Sequence, residues 1–125
     1  MSALTEEQRE FARAGNFATL TTLLPDGRPA AQVMWVDSDD ECILINTEIH
    51  RQKFKSIEGD PRVAVCIWQR DDPYQYMELR GRVVEIVRGE PARQHIDELA
   101  MRYFGRPYDE TIITSERVIL RIRPE

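Results

Sequence analysis

The residues best equipped for chemistry crowd into one stretch, Asn46-Thr47-Glu48-Ile49-His50-Arg51-Gln52-Lys53-Phe54-Lys55, which runs on to Asp60-Pro61-Arg62. The chain has 17 basic residues, and its only two lysines, Lys53 and Lys55, both fall here. The stretch closes a strand and opens a helix. At such a junction unpaired backbone N–H groups and the helix dipole favour an anion. Arg51 and Lys53 sit at the first turn, where they could clasp a phosphate, Lys53 as a compact point charge. Arg51 and Lys55 are four apart and share a helix face; Lys53 joins them only if the helix begins at about Gln52 or later. Two blander accounts compete. An arginine-biased composition leaves lysine wherever chance put it, and a short surface helix often carries a solvated basic face.

Other reactive side chains are scattered. His50 could approach such an anion or donate a proton, but a surface histidine at a helix start accounts for it as well. His95 reads as solvated on the polar side of a later helix. Two histidines 45 residues apart, with scattered carboxylates, offer no metal-ligand spacing, so no metal site is expected. Asp71, Asp72 and Glu78 lack a paired-carboxylate spacing for general acid–base work. No Ser/His/Asp or Cys/His arrangement is visible, and no catalytic residue can be named. Trp35 and Trp68 lie in strands, as core residues or as aromatics beside a flat ligand. Tyr74 and Tyr76 could belong to a seam between subunits or to a neighbouring subunit's groove.

These residues need a scaffold. Thr5 to Ala14 reads as a short helix, with Thr5 and Gln8 as a capping box. Phe17 to Leu24 is a strand, Pro25-Asp26-Gly27-Arg28 a turn, and Pro29 to Val36 the second strand of a hairpin. Asp37 to Asp40 turns into a third strand, Cys42 to Thr47. A helix over His50 to Gly59 ends at Asp60-Pro61. Val63 to Trp68 is a strand, Arg70 to Tyr74 a loop, and Tyr76 to Val87 a long strand in which Gly81 permits a bulge or bend. A helix starts at Pro91 and ends at Gly105. Arg117 to Arg123 alternates as a half-exposed strand, with Val118, Leu120 and Ile122 inward. The order α-β-β-β-α-β-β-α-β predicts a mostly β fold, a six-stranded antiparallel barrel, closed or partly closed, with a few short helices. Residues 1–125 form a single domain, with the barrel at roughly 16–123. It is no doubly wound sheet, and no GxGxxG turn is present.

Composition bounds the function. With 17 basic and 22 acidic residues the net charge is −5, which argues against general nucleic-acid binding. No apolar run reaches the roughly 18–20 residues of a membrane span. The acidic, polar start from Met1 to Glu10 reads as neither signal nor transit peptide. Cys42 and Cys66 read as buried reduced thiols of a cytoplasmic protein.

Arg51-x-Lys53-x-Lys55-x-Ile57 followed by Asp60-Pro61-Arg62-Val63 resembles the signature of the flavin- and deazaflavin-dependent split-barrel oxidoreductases, the relatives of pyridoxamine 5′-phosphate oxidase. The hairpin Thr19-Leu20-x-x-Leu23-x-Pro25-Asp26-Gly27-Arg28-Pro29, leading into Gln32 to Val36, is similar to theirs, as is Arg80-Gly81-Arg82-Val83. The likeness runs from about Phe17 to Ile122. One departure is Ser56, where the family usually has asparagine; it bears on helix packing more than on the anion site.

The resemblance implies a six-stranded split barrel, a homodimer, and FMN or coenzyme F420 held in grooves at the dimer interface. Arg51 and Lys53 match the phosphate-binding positions, and Gln32, Val33, Met34 and Trp35 match the strand along the ring. Asn46, Thr47, Lys55 and Trp68 complete the expected cofactor-binding set. The short chain and the wording Ile49-His50-Arg51-Gln52-Lys53-Phe54-Lys55 look more like the F420-using branch. A deazaflavin ring needs a flat apolar floor, backbone donors and a phosphate anchor, and hydride transfer needs no protein nucleophile. Three readings follow: an F420-dependent reductase acting on a small conjugated or unsaturated acceptor, an FMN-dependent enzyme of the oxidase type, and a non-catalytic carrier of a flavin, deazaflavin or haem-like ligand.

Overall fold

The computed structural model describes residues 4–125. Met1 to Ala3, the first part of the acidic start, lie outside the described residues. The element order is α1 (Glu6–Arg13), β1 (Phe17–Leu23), β2 (Pro29–Trp35), β3 (Asp37–Ser38), β4 (Ile43–Glu48), α2 (Gln52–Gly59), β5 (Arg62–Gln69), β6 (Asp72–Val87), α3 (Glu90–Phe104), a 3₁₀ turn (Glu110–Ile112) and β7 (Arg117–Pro124).

The strands form one antiparallel sheet in the order β2-β1-β5-β6-β7-β4-β3. Strands β2 and β4 approach each other without pairing, so the barrel is split along that seam. Among the described residues there are seven strands where the sequence predicts six. The extra one is the two-residue β3, which pairs Asp37 with Leu44 and Ser38 with Ile43 inside the segment read as a plain turn. The turn itself is tighter and later: the Asp39 carboxylate accepts from the Glu41 and Cys42 N–H groups.

The interior follows the alternation of the strands. Ala18 and Leu20 of β1, Ile43 and Ile45 of β4, Val63, Val65 and Ile67 of β5, and Val118, Leu120 and Ile122 of β7 form the core, which Phe54 and Ile57 of α2 plug from one side. The capping box at Thr5 and Gln8 is present on α1. Strand β6 begins at Asp72, not Tyr76, because Arg70-Asp71 makes a two-residue turn whose Asp71 and Asp72 N–H groups donate to the Gln69 amide oxygen. Pro73 and Tyr74 therefore belong to the strand rather than to a loop.

Two further expectations are corrected. Gly81 makes no bulge. The register shifts fall at Trp68/Gln69 and at Val83/Glu85, and Gly81 is where β6 passes so close to β7 that a Cβ would lie 2.1 Å from the Arg123 carbonyl oxygen. Strand β7 is half-exposed only over its second half. Helix α3 packs across the outer face of its first half, so Arg117 and Ile119 are buried although they alternate with the core residues. Of the cysteines, Cys42 is buried as expected, but Cys66 is only half-buried; both are free. No helix among the described residues is long and apolar enough to cross a membrane.

Candidate functional site

The seam between β2 and β4 opens into a pocket of about 270 Å³. One wall is strand β2, with Val33, Met34 and Trp35. Another is the end of β4, with Asn46 and Thr47. The start of α2 brings Arg51 and Lys53, α3 adds Ile96 and Leu99, and Tyr108 and Arg117 complete the lining.

Local structure explains the cationic end. Helix α2 begins at Gln52, with Arg51 in extended conformation at its N-cap and no side chain capping it. The helix starts where convergence of Arg51, Lys53 and Lys55 requires, yet only Arg51 and Lys53 meet in this pocket; Lys55 faces another hollow. The Phe54 N–H donates to the Arg51 carbonyl at 3.1 Å; those of Gln52 and Lys53, at the first two helical positions, have no intrahelical acceptor, and the first turn carries no acidic residue to claim them. Burial pushes the Lys53 ammonium below lysine's ordinary range, and the Arg51 and Arg117 guanidiniums push it the same way. A site with three cations in mutual range is set up to be relieved by an anion.

That arrangement carries a pH signature. Lys53 holds its proton less tightly than free lysine, so its charge is lost as pH rises at a lower pH than the ordinary 10.5. In the ligand-free protein this lowered value makes stability rise with pH across the window between the folded and unfolded values. Anion affinity runs the other way. The affinity of this pocket for an anion such as inorganic phosphate, titrated toward alkaline pH, is expected to fall off below 10.5. Lys53→Arg, whose charge does not titrate there, is expected to flatten the fall.

The flat wall is positioned from behind. The Tyr103 ring stacks on Trp35 at 4.8 Å and 6°, while Phe104 and Tyr108 meet Trp35 edge-on at 5.0 and 6.1 Å. Tyr103 is itself pinned. Its hydroxyl donates to the Asn16 carbonyl and accepts from the Val36 N–H at 3.1 Å. The indole is thus held in one orientation beside the pocket.

The loop carrying Tyr108 is tied down by Glu48. This buried carboxylate accepts from the Thr114 and Ser115 N–H groups, both at 2.8 Å, and from the Arg117 guanidinium at 3.4 Å. Burial opposes its charge, but those donors and the nearby cations hold it below the usual carboxylate range. His50 is half-exposed and sits 2.6 Å from the Ser115 hydroxyl, outside the pocket lining. Serine and Glu48 both approach the same nitrogen, Nδ1. In a relay the acid and the nucleophile occupy opposite ring nitrogens, so this cluster is no hydrolytic triad.

Of the ten residues expected to bind a cofactor, the pocket gathers Val33, Met34, Trp35, Asn46, Thr47, Arg51 and Lys53. Gln32 lies exposed on β2, outside the lining. Lys55 faces another hollow, beside Pro25, Gly59 and Arg62. Trp68 lines a shallow apolar concavity with Cys66, Pro73 and Tyr76. Sequence reasoning missed Ile96, Leu99, Tyr108 and Arg117. The apolar face of α3 was visible as a stripe, but nothing local said it would meet the β2–β4 seam. It also misplaced His95, which is buried rather than solvated: it lies 2.9 Å from the Asp37 carboxylate and 3.1 Å from the Asn46 amide. Among the described residues no group of three or more His, Cys, Asp or Glu side chains could hold a metal.

A barrel that is split beside a cationic pocket defines the class: an antiparallel split barrel with basic residues gathered at its seam. The chain belongs to the pyridoxamine 5′-phosphate oxidase family, whose model matches residues 4–125. No curated protein matches it. Among solved structures, an F420 reductase is 31% identical, with 98% of this chain and 96% of that one covered and a TM-score of 0.82. A conserved hypothetical protein from Mycobacterium tuberculosis is 27% identical over 98% and 81% of the two chains, with a TM-score of 0.73. An FMN-binding protein from Nostoc punctiforme, related to pyridoxamine 5′-phosphate oxidase, is 17% identical over 88% and 71%, with a TM-score of 0.61, and speaks for the fold alone.

Proposed function

We propose that this protein is an F420-dependent oxidoreductase that passes a hydride between the reduced deazaflavin and a small conjugated or unsaturated acceptor. The observation that carries the reading is the convergence of Arg51 and Lys53 on a pocket that the Val33–Trp35 strand also lines. The likeness to an F420 reductase supports the same cofactor.

The residues present suit such a group. Arg51 and Lys53 would hold its phosphate by charge-assisted hydrogen bonds. Strand β2 would lie along the ring, with Trp35 fixed by Tyr103 behind it. Ile96 and Leu99 would keep water from the reacting face. When bound, the deazaflavin supplies the hydride chemistry, and the protein supplies orientation and a dry wall. The FMN reading rests on the same anchor and on membership of the pyridoxamine 5′-phosphate oxidase family; a protein that is yellow as isolated would favour it.

The reading includes a homodimer of the cytoplasmic compartment. Val33, Tyr74 and Tyr76 are large and exposed, at 60%, 88% and 64%, and a second copy would cover them. Light scattering is expected to give twice the 14.6 kDa chain mass; a mass of one chain would contradict the dimer.

Turnover is the test of function. Reduced F420 mixed with the protein and a panel of quinones and enones is expected to be oxidised at a rate proportional to protein concentration. Tight binding without oxidation across the panel would leave the carrier reading standing in place of the enzyme.

A further inference from the structure

Behind the pocket wall, polar side chains from four elements form an unbroken chain. The Asp37 carboxylate of β3 lies 2.9 Å from His95 Nε2 of α3, and Arg102 donates to its other oxygen at 3.1 Å. His95 Nδ1 lies 3.1 Å from the Asn46 amide nitrogen of β4. Arg117 of β7 donates from Nε to Asn46 Oδ1 at 2.8 Å.

The partners dictate where the protons sit. The Ala92 carbonyl can only accept, and it lies 2.9 Å from the Asn46 amide nitrogen. Arg117 can only donate, so the amide oxygen must face it. Both constraints fix the Asn46 amide in one orientation. Its nitrogen then donates to His95 Nδ1, which must be the bare nitrogen. The imidazole proton therefore resides on Nε2 and is donated to Asp37.

The chain ends on a buried guanidinium. The Arg117 side chain is only 8% exposed, yet it lines the pocket with Arg51 and Lys53. Its Nε is fixed by Asn46, its Nη1 by Glu48 at 3.4 Å, and its plane lies over the Tyr108 ring, 5.3 Å from the centroid. Burying a guanidinium costs stability that an apolar residue here would not. Arg51, Lys53 and Arg117 against Glu48 alone leave two positive charges at the pocket. A dianionic group, or two monoanionic ones, would balance them.

We propose that Arg117 is a third anchor for the ligand's anionic oxygens and sets specificity for them. His95 is its positioning residue, acting through Asn46. The proposal rests on the pocket being the F420 site.

The experiment is a double-mutant cycle read by F420 fluorescence quenching. Arg117→Met is expected to weaken binding by about 10- to 100-fold, the usual range for a charge-assisted hydrogen bond. His95→Met, similar in bulk but unable to accept from Asn46, is expected to weaken it by about fivefold in the native background and by nothing further beside Arg117→Met. His95→Gln keeps an acceptor toward Asn46 and a donor toward Asp37, and is expected to restore native affinity. Equal losses from His95→Met in both backgrounds, or native affinity in Arg117→Met, would overturn the proposal. If Arg51→Ala with Lys53→Ala leaves F420 binding intact, the site reading fails; if that pair abolishes binding and Arg117→Met does not weaken it, only this proposal fails. The unmodified protein supplies an independent check: nitrogen NMR of His95 is expected to show the Nε2–H tautomer, and the Nδ1–H tautomer would contradict the chain.

Discussion

Replacing Arg51 and Lys53 together by alanine is expected to lower affinity for F420 by at least about two orders of magnitude. Each residue would contribute one charge-assisted hydrogen bond to the phosphate, worth roughly 1.5–3 kcal/mol, and two such losses together correspond to roughly 10²- to 10⁴-fold. The fold should survive. Arg51 is exposed at the N-cap and makes no side-chain cap hydrogen bond, and Lys53 is held under repulsion from Arg51 and Arg117. Removing like charges from that cluster relieves strain in the ligand-free protein, so thermal stability is expected to stay level or rise slightly. Loss of binding with an unchanged melting temperature is the signature of an anchor. Loss of both would mean the pair holds the barrel rather than a ligand. Lys55→Ala makes a matched comparison, since Lys55 faces a different hollow, and is expected to change affinity by less than about threefold, as a screened charge at a distance does.

Gly81→Ala is expected to be the most damaging small substitution in the barrel. An added Cβ would meet the Arg123 carbonyl oxygen at 2.1 Å, its carbon at 2.9 Å and the Pro124 Cα at 3.1 Å. All three are backbone atoms of β7, so no side chain can swing aside. Gly81 is paired with Val63 on one side and Pro124 on the other, and relief requires β6 and β7 to part at the barrel's end. Overpacking of this kind costs about 3 kcal/mol, which lowers the melting temperature by on the order of 10 °C in a chain this size. Gly59→Ala serves as the control. Gly59 ends α2 with nothing within 4 Å of its would-be Cβ and no positive φ, so alanine there should be neutral or slightly stabilising. Equal melting temperatures for the two variants would show that the close approach at Gly81 is not a constraint.

Much of the barrel is legible in the sequence because its signals are local. Thr5 and Gln8 spell a capping box within one turn. Pro25 to Arg28 carries its own turn chemistry. Val63 to Trp68 is a plain apolar run. The departures come where structure depends on what covers a residue from afar. Arg117 alternates with core residues and looks solvent-facing; only the packing of α3 over β7 buries it. His95 looks solvated for the same reason, since its partners Asp37 and Asn46 lie 58 and 49 residues away. Strand β3 is two residues long, too short for any alternation to register. Gly81 was visible as a glycine inside a strand, but whether such a glycine serves a bulge or a close approach is decided by the neighbouring strand.

The candidate site divides along the same line. Arg51 and Lys53 were readable because a strand-to-helix junction is a local feature and their spacing is short. Val33 to Trp35 came from the resemblance of the hairpin and its second strand to those of the split-barrel family. Tyr108, Ile96 and Leu99 required the placement of α3 and its following loop against the seam. Trp68 and Lys55 were drawn in by residue type, and topology carries them to other surfaces.

The central claim is that the β2–β4 seam, anchored by Arg51 and Lys53, binds a deazaflavin. Titration of F420 into the purified native protein, followed by deazaflavin fluorescence, tests it most directly. Saturable quenching at micromolar F420 is expected, and it should disappear in Arg51→Ala with Lys53→Ala. Saturable binding that ignores both substitutions, or an absence of quenching in a protein that carries FMN from purification, would contradict it.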